Sequence, residues 1–397
     1  MKKINILSLL WILYFLTIYV FDKIFIYMHY VSTIVLLIAT LLYTKKHSTN
    51  DELKNNKIVL YFILFFCYTL LSFFWASNST NTQSSIIRNI FEMIIIIYCA
   101  VKYMNREEKI FSFIKIFTYT TFIMGIIYYM TSPISTWGST SMGEYLGIWR
   151  NSAGYYLAYA AFFSLFLYKY ENKNKVNIIL FILLSILSLS TGSRKCIIHL
   201  LLLVAIMHIF EKGIKNNIKN IIILIFIGIL ALFIIKYNSS ANYIFNTKIL
   251  SMFGNNSNSD ASTKVRGYFI KFAIDLFLQK PVIGNGMDGF KIWLSTQTEF
   301  LNMWDISAVY SHCNYVELLS NSGIIGFLLY YLYPIVLIFK NYKNRDNSIV
   351  RFGLCNLIVF LILDYGTISY YMKIYLLILT ISLICTNIKD KDIIIKK

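Results

Sequence analysis

Apolar runs long enough to cross a lipid bilayer recur along most of this chain. Each run is continuously apolar rather than alternating, which predicts a helix and argues against a barrel strand. A run of about 20 residues matches a hydrocarbon core of about 30 Å, so we predict an all-α, polytopic membrane protein with about twelve transmembrane helices. The predicted spans are 4–21, 24–43, 58–75, 86–104, 110–131, 153–169, 178–191, 196–210, 220–236, 318–340, 350–366 and 368–386.

The composition agrees with this class and excludes others. Hydrophobic residues make up 57% of the 397 positions and charged residues only 14%, whereas a soluble domain carries about a quarter charged residues. The formal net charge is +18, but the basic residues are spread over many short loops, so we expect no nucleic-acid partner. All of the six cysteines except Cys313 lie in apolar spans, which predicts neither a disulfide framework nor a metal site.

Lysine and arginine are concentrated in alternate short loops, and this asymmetry predicts the orientation. By the positive-inside rule, these loops and both termini lie in the cytoplasm. The first apolar run follows Lys2 and Lys3 without a cleavage site, so we expect it to be a span. The chain then divides into N-terminal transmembrane helices (1–235, about nine), a large extracytoplasmic loop (236–322), and C-terminal helices with a cytoplasmic tail (323–397).

The long loop contains an amphipathic helix, predicted at 264–279. Arg266 lies one turn before its apolar stripe and projects from the same face, which suits contact with phosphate groups better than simple surface anchoring. The helix is predicted to stop at Lys280-Pro281, and a glycine-rich tight turn follows at 284–290. The predicted apolar stripe consists of Phe269, Ile270, Ala273, Ile274 and Phe277.

Several residues on the predicted outer side have side chains suited to ligand binding or catalysis. The outer arginines are Arg88, Arg150, Arg194 and Arg266. Their planar, permanently charged groups suit recognition of diphosphates or carboxylates, although interfacial arginines can also simply reach toward lipid headgroups. His312 lies just before a span, where an imidazole at the water interface can serve as a general base. The alternative is that a lone histidine in a loop is incidental.

Three of these pieces, in this order, resemble the O-antigen ligase/polymerase superfamily (Wzy/WaaL type). The first is Ser193-Arg194 at the outer end of a mid-chain span. The second is the helix that begins near Arg266 and ends in a Pro-x-x-Gly-x-Gly turn at 281–286. The third is His312, followed by Gly-x-x-Gly at 323–326.

The resemblance covers roughly residues 145–330 and depends on the combination of these motifs. Arg150-Asn151 is similar to a weaker asparagine motif of the family. Where the family usually has asparagine directly after the histidine, this chain has Cys313, so we assign no role to Asn314.

The resemblance implies a membrane glycosyltransferase without a cofactor, in the bacterial cytoplasmic (inner) membrane. Such enzymes move a glycan from an undecaprenyl diphosphate carrier to an acceptor hydroxyl on the outer face. A departing diphosphate needs cations, and the acceptor needs a base, while the scattered outer acidic residues favour a metal-independent mechanism. The residues assigned to catalysis are His312, Arg194 and Arg266, and those assigned to substrate binding are Arg88, Arg150, Asn151 and Glu317.

Within the family we favour a Wzy-type polymerase, which joins repeat units of O-antigen or capsular polysaccharide. The Lys/Asn/Ile/Tyr-rich composition supports it, because this bias is expected of an AT-rich surface-polysaccharide gene. The first alternative is a ligase that transfers glycan to a lipid A core. The second is a flippase or transporter. Transporters usually carry charged residues near the middle of the membrane, whereas intramembrane charge is sparse in this chain. The clearest case is Glu92, and Arg88 is spaced to pair with it. The expected partners are the lipid-linked glycan, the bilayer and a chain-length regulator membrane protein.

Overall fold

The computed structural model describes residues 5–21, 27–47, 55–76, 81–137, 141–193, 195–211, 261–297 and 309–388. Within these ranges the chain forms helices and turns and no strand, which confirms the all-α prediction. The α-helices are α1 (Ile6–Leu16), α2 (Met28–His47), α3 (Asn56–Leu71), α4 (Asn81–Tyr103), α5 (Glu107–Thr131), α6 (Arg150–Leu167), α7 (Lys175–Ser190), α8 (195–211), α9 (Ala261–Gln279), α10 (Gly289–Leu294), α11 (Asn314–Asn341), α12 (Ser348–Leu363) and α13 (Lys373–Thr386).

Each predicted span overlaps one of these helices, apart from 220–236, which lies outside the described residues. Among the described residues, the segments long and apolar enough to cross a membrane are Met28–Lys45, Asn56–Trp75, Gln83–Tyr103, Glu107–Thr131 and Asn314–Asn344. The shorter apolar segments are Ile6–Phe21, Lys175–Ser190, Ser348–Leu363 and Lys373–Thr386. The fold is therefore that of an all-α membrane protein.

Two helices, α6 and α13, form the centre of the bundle. Every residue of α13 from Ile374 to Thr386 is buried, and α6 is buried on most of its surface. A helix that is apolar on all sides belongs in an interior, because it has no face to offer to water. Tyr155 of α6 contacts Tyr375 of α13 edge to face, with ring centroids 5.9 Å apart. The two central helices therefore meet near their N-terminal ends.

Helices α9 and α10 build a second, smaller core on the bundle. Their buried side chains are Val265, Phe269, Ala273, Leu276, Phe290 and Leu294, and Val316 of α11 packs against them. The predicted apolar stripe of α9 was only partly right, because Ile274 is 42% exposed. The buried face instead includes Val265 and Leu276, because α9 packs against both α10 and α11.

The glycine-rich turn after α9 is joined to a break in α11. Gly323 has a φ of 63° and interrupts the helix, which frees backbone groups to pair with the turn. The Ile324 N–H donates to the Pro281 carbonyl at 2.9 Å, and the Gly286 N–H donates to the Asn321 carbonyl at 2.8 Å. These bonds fix α9 relative to α11, and the sequence elements that carry Arg266 and His312 are thereby held together.

We expect Gly323→Ala to prevent accumulation of folded protein. A Cβ at this position would lie 2.3 Å from the Val282 carbonyl oxygen, and the positive φ itself disfavours alanine by roughly 1–2 kcal/mol. Gly267→Ala is the matched control, because a Cβ there meets nothing within 4 Å and alanine favours a helix by about 1 kcal/mol over glycine. Membrane protein level and thermal unfolding in detergent measure both variants. Equal stability of the two variants would contradict the proposed connection between the glycine-rich turn and the break in α11.

Candidate active site

A cavity of about 70 Å³ lies where several helices begin. Asn151 comes from the start of α6, Lys195 is the first residue of α8, and Arg266 lies on α9. His312 precedes α11 by two residues, and Thr367 belongs to the segment between α12 and α13. Three residues predicted from the sequence, Asn151, Arg266 and His312, therefore line one cavity.

The backbone of His312 is held in an unusual conformation. Its φ is 62°, in the left-handed region, which non-glycine residues adopt rarely and often at functional sites. The turn is braced by Ser311, whose hydroxyl donates to the Cys313 carbonyl at 3.0 Å. The Ser311 N–H in turn donates to the buried Glu317 carboxylate at 2.6 Å. This arrangement directs the imidazole into the cavity instead of along the helix.

The environment of the His312 ring keeps the imidazole neutral. The ring stacks on Phe269, with centroids 5.9 Å apart and planes at 19°, and contacts Tyr310 at 4.4 Å. Burial, followed by the positive charges of Arg266 and Lys195, lowers the pKa of His312 to about 4. Its side chain makes no hydrogen bond to other described residues. At neutral pH it is therefore an unprotonated imidazole that can accept a proton.

The cavity is positively charged and has no acidic side chain among the described residues that line it. Arg266 is half-buried, and no ion pair joins its guanidinium to a carboxylate in the part of the chain that the structure describes. The positive charge of Arg266 is close enough to affect the pKa values of Tyr310, His312 and Lys195. A site that concentrates cations without a counter-charge is suited to an anionic ligand.

The other predicted site residues lie in different surroundings. Arg150 is directly beside Asn151 but does not line the cavity, and Arg88 is exposed on α4, also outside the cavity. Glu317 is buried, and its carboxylate braces the His312 turn through Ser311. Arg194 lies outside the described residues, although the neighbouring Lys195 lines the cavity.

The structure adds two residues that the sequence interpretation did not select, Lys195 in the cavity lining and Asn314 in a buried hydrogen-bond network. The signal for Lys195 was its place beside Arg194 in the same tight bend. Asn314 was assigned no role, but its side-chain amide donates to the Tyr331 hydroxyl at 2.7 Å and to the Asp364 carboxylate at 3.2 Å. Its side-chain oxygen accepts the Ser369 N–H at 2.9 Å. Asn314 thus ties the start of α11 to the segment before α13.

This network supports a prediction about stability. We expect Asn314→Asp and Asp364→Asn each to destabilise the protein by about 1–3 kcal/mol, because each leaves a buried polar group without a suitable partner. The double variant exchanges the amide and the carboxylate, and it should recover at least half of the loss. A double-mutant cycle on thermal unfolding measures the coupling. Purely additive losses would show that the two side chains do not depend on each other.

The charged residue Glu92 is not paired as its spacing suggested. Its carboxylate lies 2.6 Å from the Lys373 ammonium and 3.4 Å from the His29 imidazole, so it joins α4 to α13 and α2. Arg88 remains exposed one turn away. Among the described residues, no group of three or more His, Cys, Asp and Glu side chains is placed to hold a metal ion.

The fold and the cavity define a multi-helix membrane protein with a cationic pocket that contains a histidine. Residues 178–331 match the family model described as O-antigen ligase. This range contains Lys195, Arg266 and His312, while Asn151 and Thr367 lie outside it. No curated protein matches the chain significantly. Over residues 178–331, the match to the family model confirms the predicted resemblance to the O-antigen ligase/polymerase superfamily.

Proposed function

We propose that this protein polymerises undecaprenyl-diphosphate-linked oligosaccharide repeat units on the outer face of the bacterial cytoplasmic membrane. The observation that carries the proposal is the cavity itself, which combines Arg266 with a neutral His312 and has no acidic side chain among the described residues that line it. The match of residues 178–331 to the O-antigen ligase family model supports glycan transfer of the ligase or polymerase type. In this orientation both termini lie in the cytoplasm and the cavity opens on the outer side.

The reaction joins an acceptor sugar to the anomeric carbon of the donor. The acceptor oxygen forms a bond to this carbon as the bond from carbon to the diphosphate oxygen breaks, and the electron pair leaves with the diphosphate. His312 takes the acceptor proton. Arg266 and Arg194 stabilise the negative charge of the departing lipid diphosphate. We propose that this chemistry proceeds without a metal ion.

The size of the cavity limits what it holds. A pocket for a drug-sized ligand has roughly 300–1,000 Å³, whereas this cavity has about 70 Å³. It therefore has room for part of the reacting groups, and the glycan and the lipid extend beyond it. We assign Asn151, which lines the cavity, and the neighbouring Arg150 to substrate binding, and Glu317 to orientation of the His312 turn.

Complementation of cells that lack the gene tests the proposal. Wild type should restore a ladder of surface glycan lengths, whereas the His312→Ala variant, present at normal level in the membrane, should leave glycan at a single repeat unit. Long lipid-linked chains that never reach the final acceptor would instead identify a ligase. Repeat units that accumulate on the cytoplasmic leaflet would identify a flippase, and a normal ladder from the variant would refute the role of His312.

A further inference from the structure

Lys195 is a cavity residue to which the proposed chemistry assigns no role. It begins α8 and lines the cavity together with Arg266 and His312. Its ammonium donates to the carbonyl of Gly366, in the segment between α12 and α13. No carboxylate lies within ion-pair distance of it among the described residues. Its present partner is therefore a neutral acceptor, which an anion can replace.

The surroundings of this ammonium are unfavourable for a positive charge. Burial, followed by repulsion from Arg266, lowers the pKa of Lys195 to about 8. A lysine on an exposed face would avoid both effects. Perturbed charges of this kind concentrate at functional sites, because the bound ligand supplies the compensating interaction. An anion between Lys195 and Arg266 would relieve the repulsion between the two cations.

The local packing holds Lys195 at the cavity. Gly154 of α6 lies so close to α8 that a Cβ there would be 2.5 Å from the Cys196 sulfur. The Cys196 thiol also donates to the Asn151 carbonyl at 3.5 Å. On the other side, a Cβ at Gly366 would lie 3.0 Å from the Lys195 ammonium. Lys195 is thus fixed next to Asn151 by contacts on both sides.

We propose that Lys195 is a further substrate-binding residue, whose ammonium exchanges the Gly366 carbonyl for a phosphate oxygen of the lipid diphosphate. This inference rests on the proposed function, since it concerns the same donor. Lys195 on α8 and Arg266 on α9 then bind the diphosphate from two sides of the cavity. The alternative is that Lys195 only ties Gly366 to α8.

The test compares variants of the purified protein in lipid nanodiscs, with undecaprenyl diphosphate and undecaprenol as probes. Lys195→Gln keeps a donor for the Gly366 carbonyl but removes the charge. It should weaken binding of undecaprenyl diphosphate about 10–100-fold without changing undecaprenol binding or thermal stability. Lys195→Arg should stay within about fivefold of wild type. Lys271→Gln, an exposed lysine on α9 outside the cavity, controls for the change in net charge.

Each result decides between the two roles. If Lys195→Gln binds undecaprenyl diphosphate as tightly as wild type, the proposal is refuted. Lys195 then serves only to hold Gly366 against α8. A wild-type protein that does not distinguish undecaprenyl diphosphate from undecaprenol would instead contradict the proposed function as a whole. The two failures are therefore distinguishable.

A pH series keeps the proposal testable if Lys195→Gln does not fold. Loss of the ammonium proton above pH 8 should weaken wild-type binding by roughly tenfold per pH unit, because binding then requires proton uptake. Lys195→Arg stays charged and should bind evenly over the same range, whereas parallel decline of both proteins would refute the proposal. The comparison isolates Lys195 from the other titratable or charged groups that line the cavity or act on Lys195 among the described residues, which are Arg266, His312, Tyr310, Tyr155, Tyr375, Cys196 and Cys313.

Discussion

Replacement of His312 by alanine is expected to lower the rate of glycan transfer by about 10²–10⁴-fold, because the acceptor hydroxyl then lacks its base. His312→Asn is the more informative variant. Asparagine tolerates a positive φ, so it preserves the turn between Ser311 and Cys313 and removes only the imidazole. The measurement is transfer from a purified lipid-linked donor, followed with the membrane level and thermal unfolding of each variant.

The pH dependence of this reaction should differ between the free enzyme and the enzyme–substrate complex. With a pKa of about 4 in the free protein, His312 stays neutral as the pH falls toward 4, so kcat/KM should be lost only below that value. We expect bound diphosphate to offset the charges of Arg266 and Lys195 and thereby to raise the pKa of His312. The acid limb of kcat should therefore lie at higher pH, between about 4 and 6.5.

The controls for His312 use another histidine and the shape of the pH profile. His208→Ala changes a histidine at the far end of α8, beside Glu211, and should leave transfer unchanged. Full activity in His312→Asn would rule out a base at this position. Coincident acid limbs for kcat and kcat/KM would contradict the coupling between diphosphate binding and the basicity of His312.

Replacement of Arg266 should produce the second large effect. Arg266→Ala is expected to lower affinity for the lipid diphosphate and the transfer rate together by about 10²–10³-fold, since hydrogen bonds to charged groups contribute about 1.5–3 kcal/mol and stabilisation of the leaving group adds to this. Arg266→Lys should recover only part of the loss, because an ammonium cannot contact two oxygens with the planar geometry of a guanidinium.

A neutral variant at the same position links the two predictions. Arg266→Gln removes a positive charge near His312, so the pKa of His312 should rise and the acid limb of kcat/KM should move above pH 4. Binding and rate are measured in nanodiscs with undecaprenyl diphosphate and the lipid-linked donor. An Arg266→Gln enzyme with unchanged affinity and an unshifted acid limb would show that Arg266 faces neither the diphosphate nor the base.

Much of the helical framework could be predicted from the sequence because bilayer thickness and hydrophobicity act locally. A continuous apolar run has few alternatives to a helix, and the overlap between predicted spans and observed helices reflects this. The start of α13 was predicted too early, at 368 rather than at Lys373. The intervening backbone is held instead by distant partners, as in the hydrogen bond from the Ser369 N–H to Asn314.

In the candidate site, only charged or titratable residues within a mostly apolar sequence could be recognised from the sequence. Arg266 and His312 were found because charged and titratable groups are rare in such a chain. Lys195 and Asn314 were missed because their importance depends on contacts with Gly366 and Asp364, which are remote in sequence. The pairing of Glu92 failed for the same reason, since helical spacing cannot reveal Lys373 as a partner.

The convergence of helix starts at the cavity has an electrostatic consequence of its own. Helices α6, α8, α11 and α13 all begin beside it, and each N-terminus carries a partial charge of about +0.5 from its aligned peptide dipoles. This contribution comes from the backbone, so no side-chain substitution removes it. Even variants without Arg266 or Lys195 should therefore retain a residual preference for anions, which is built into the architecture of the bundle.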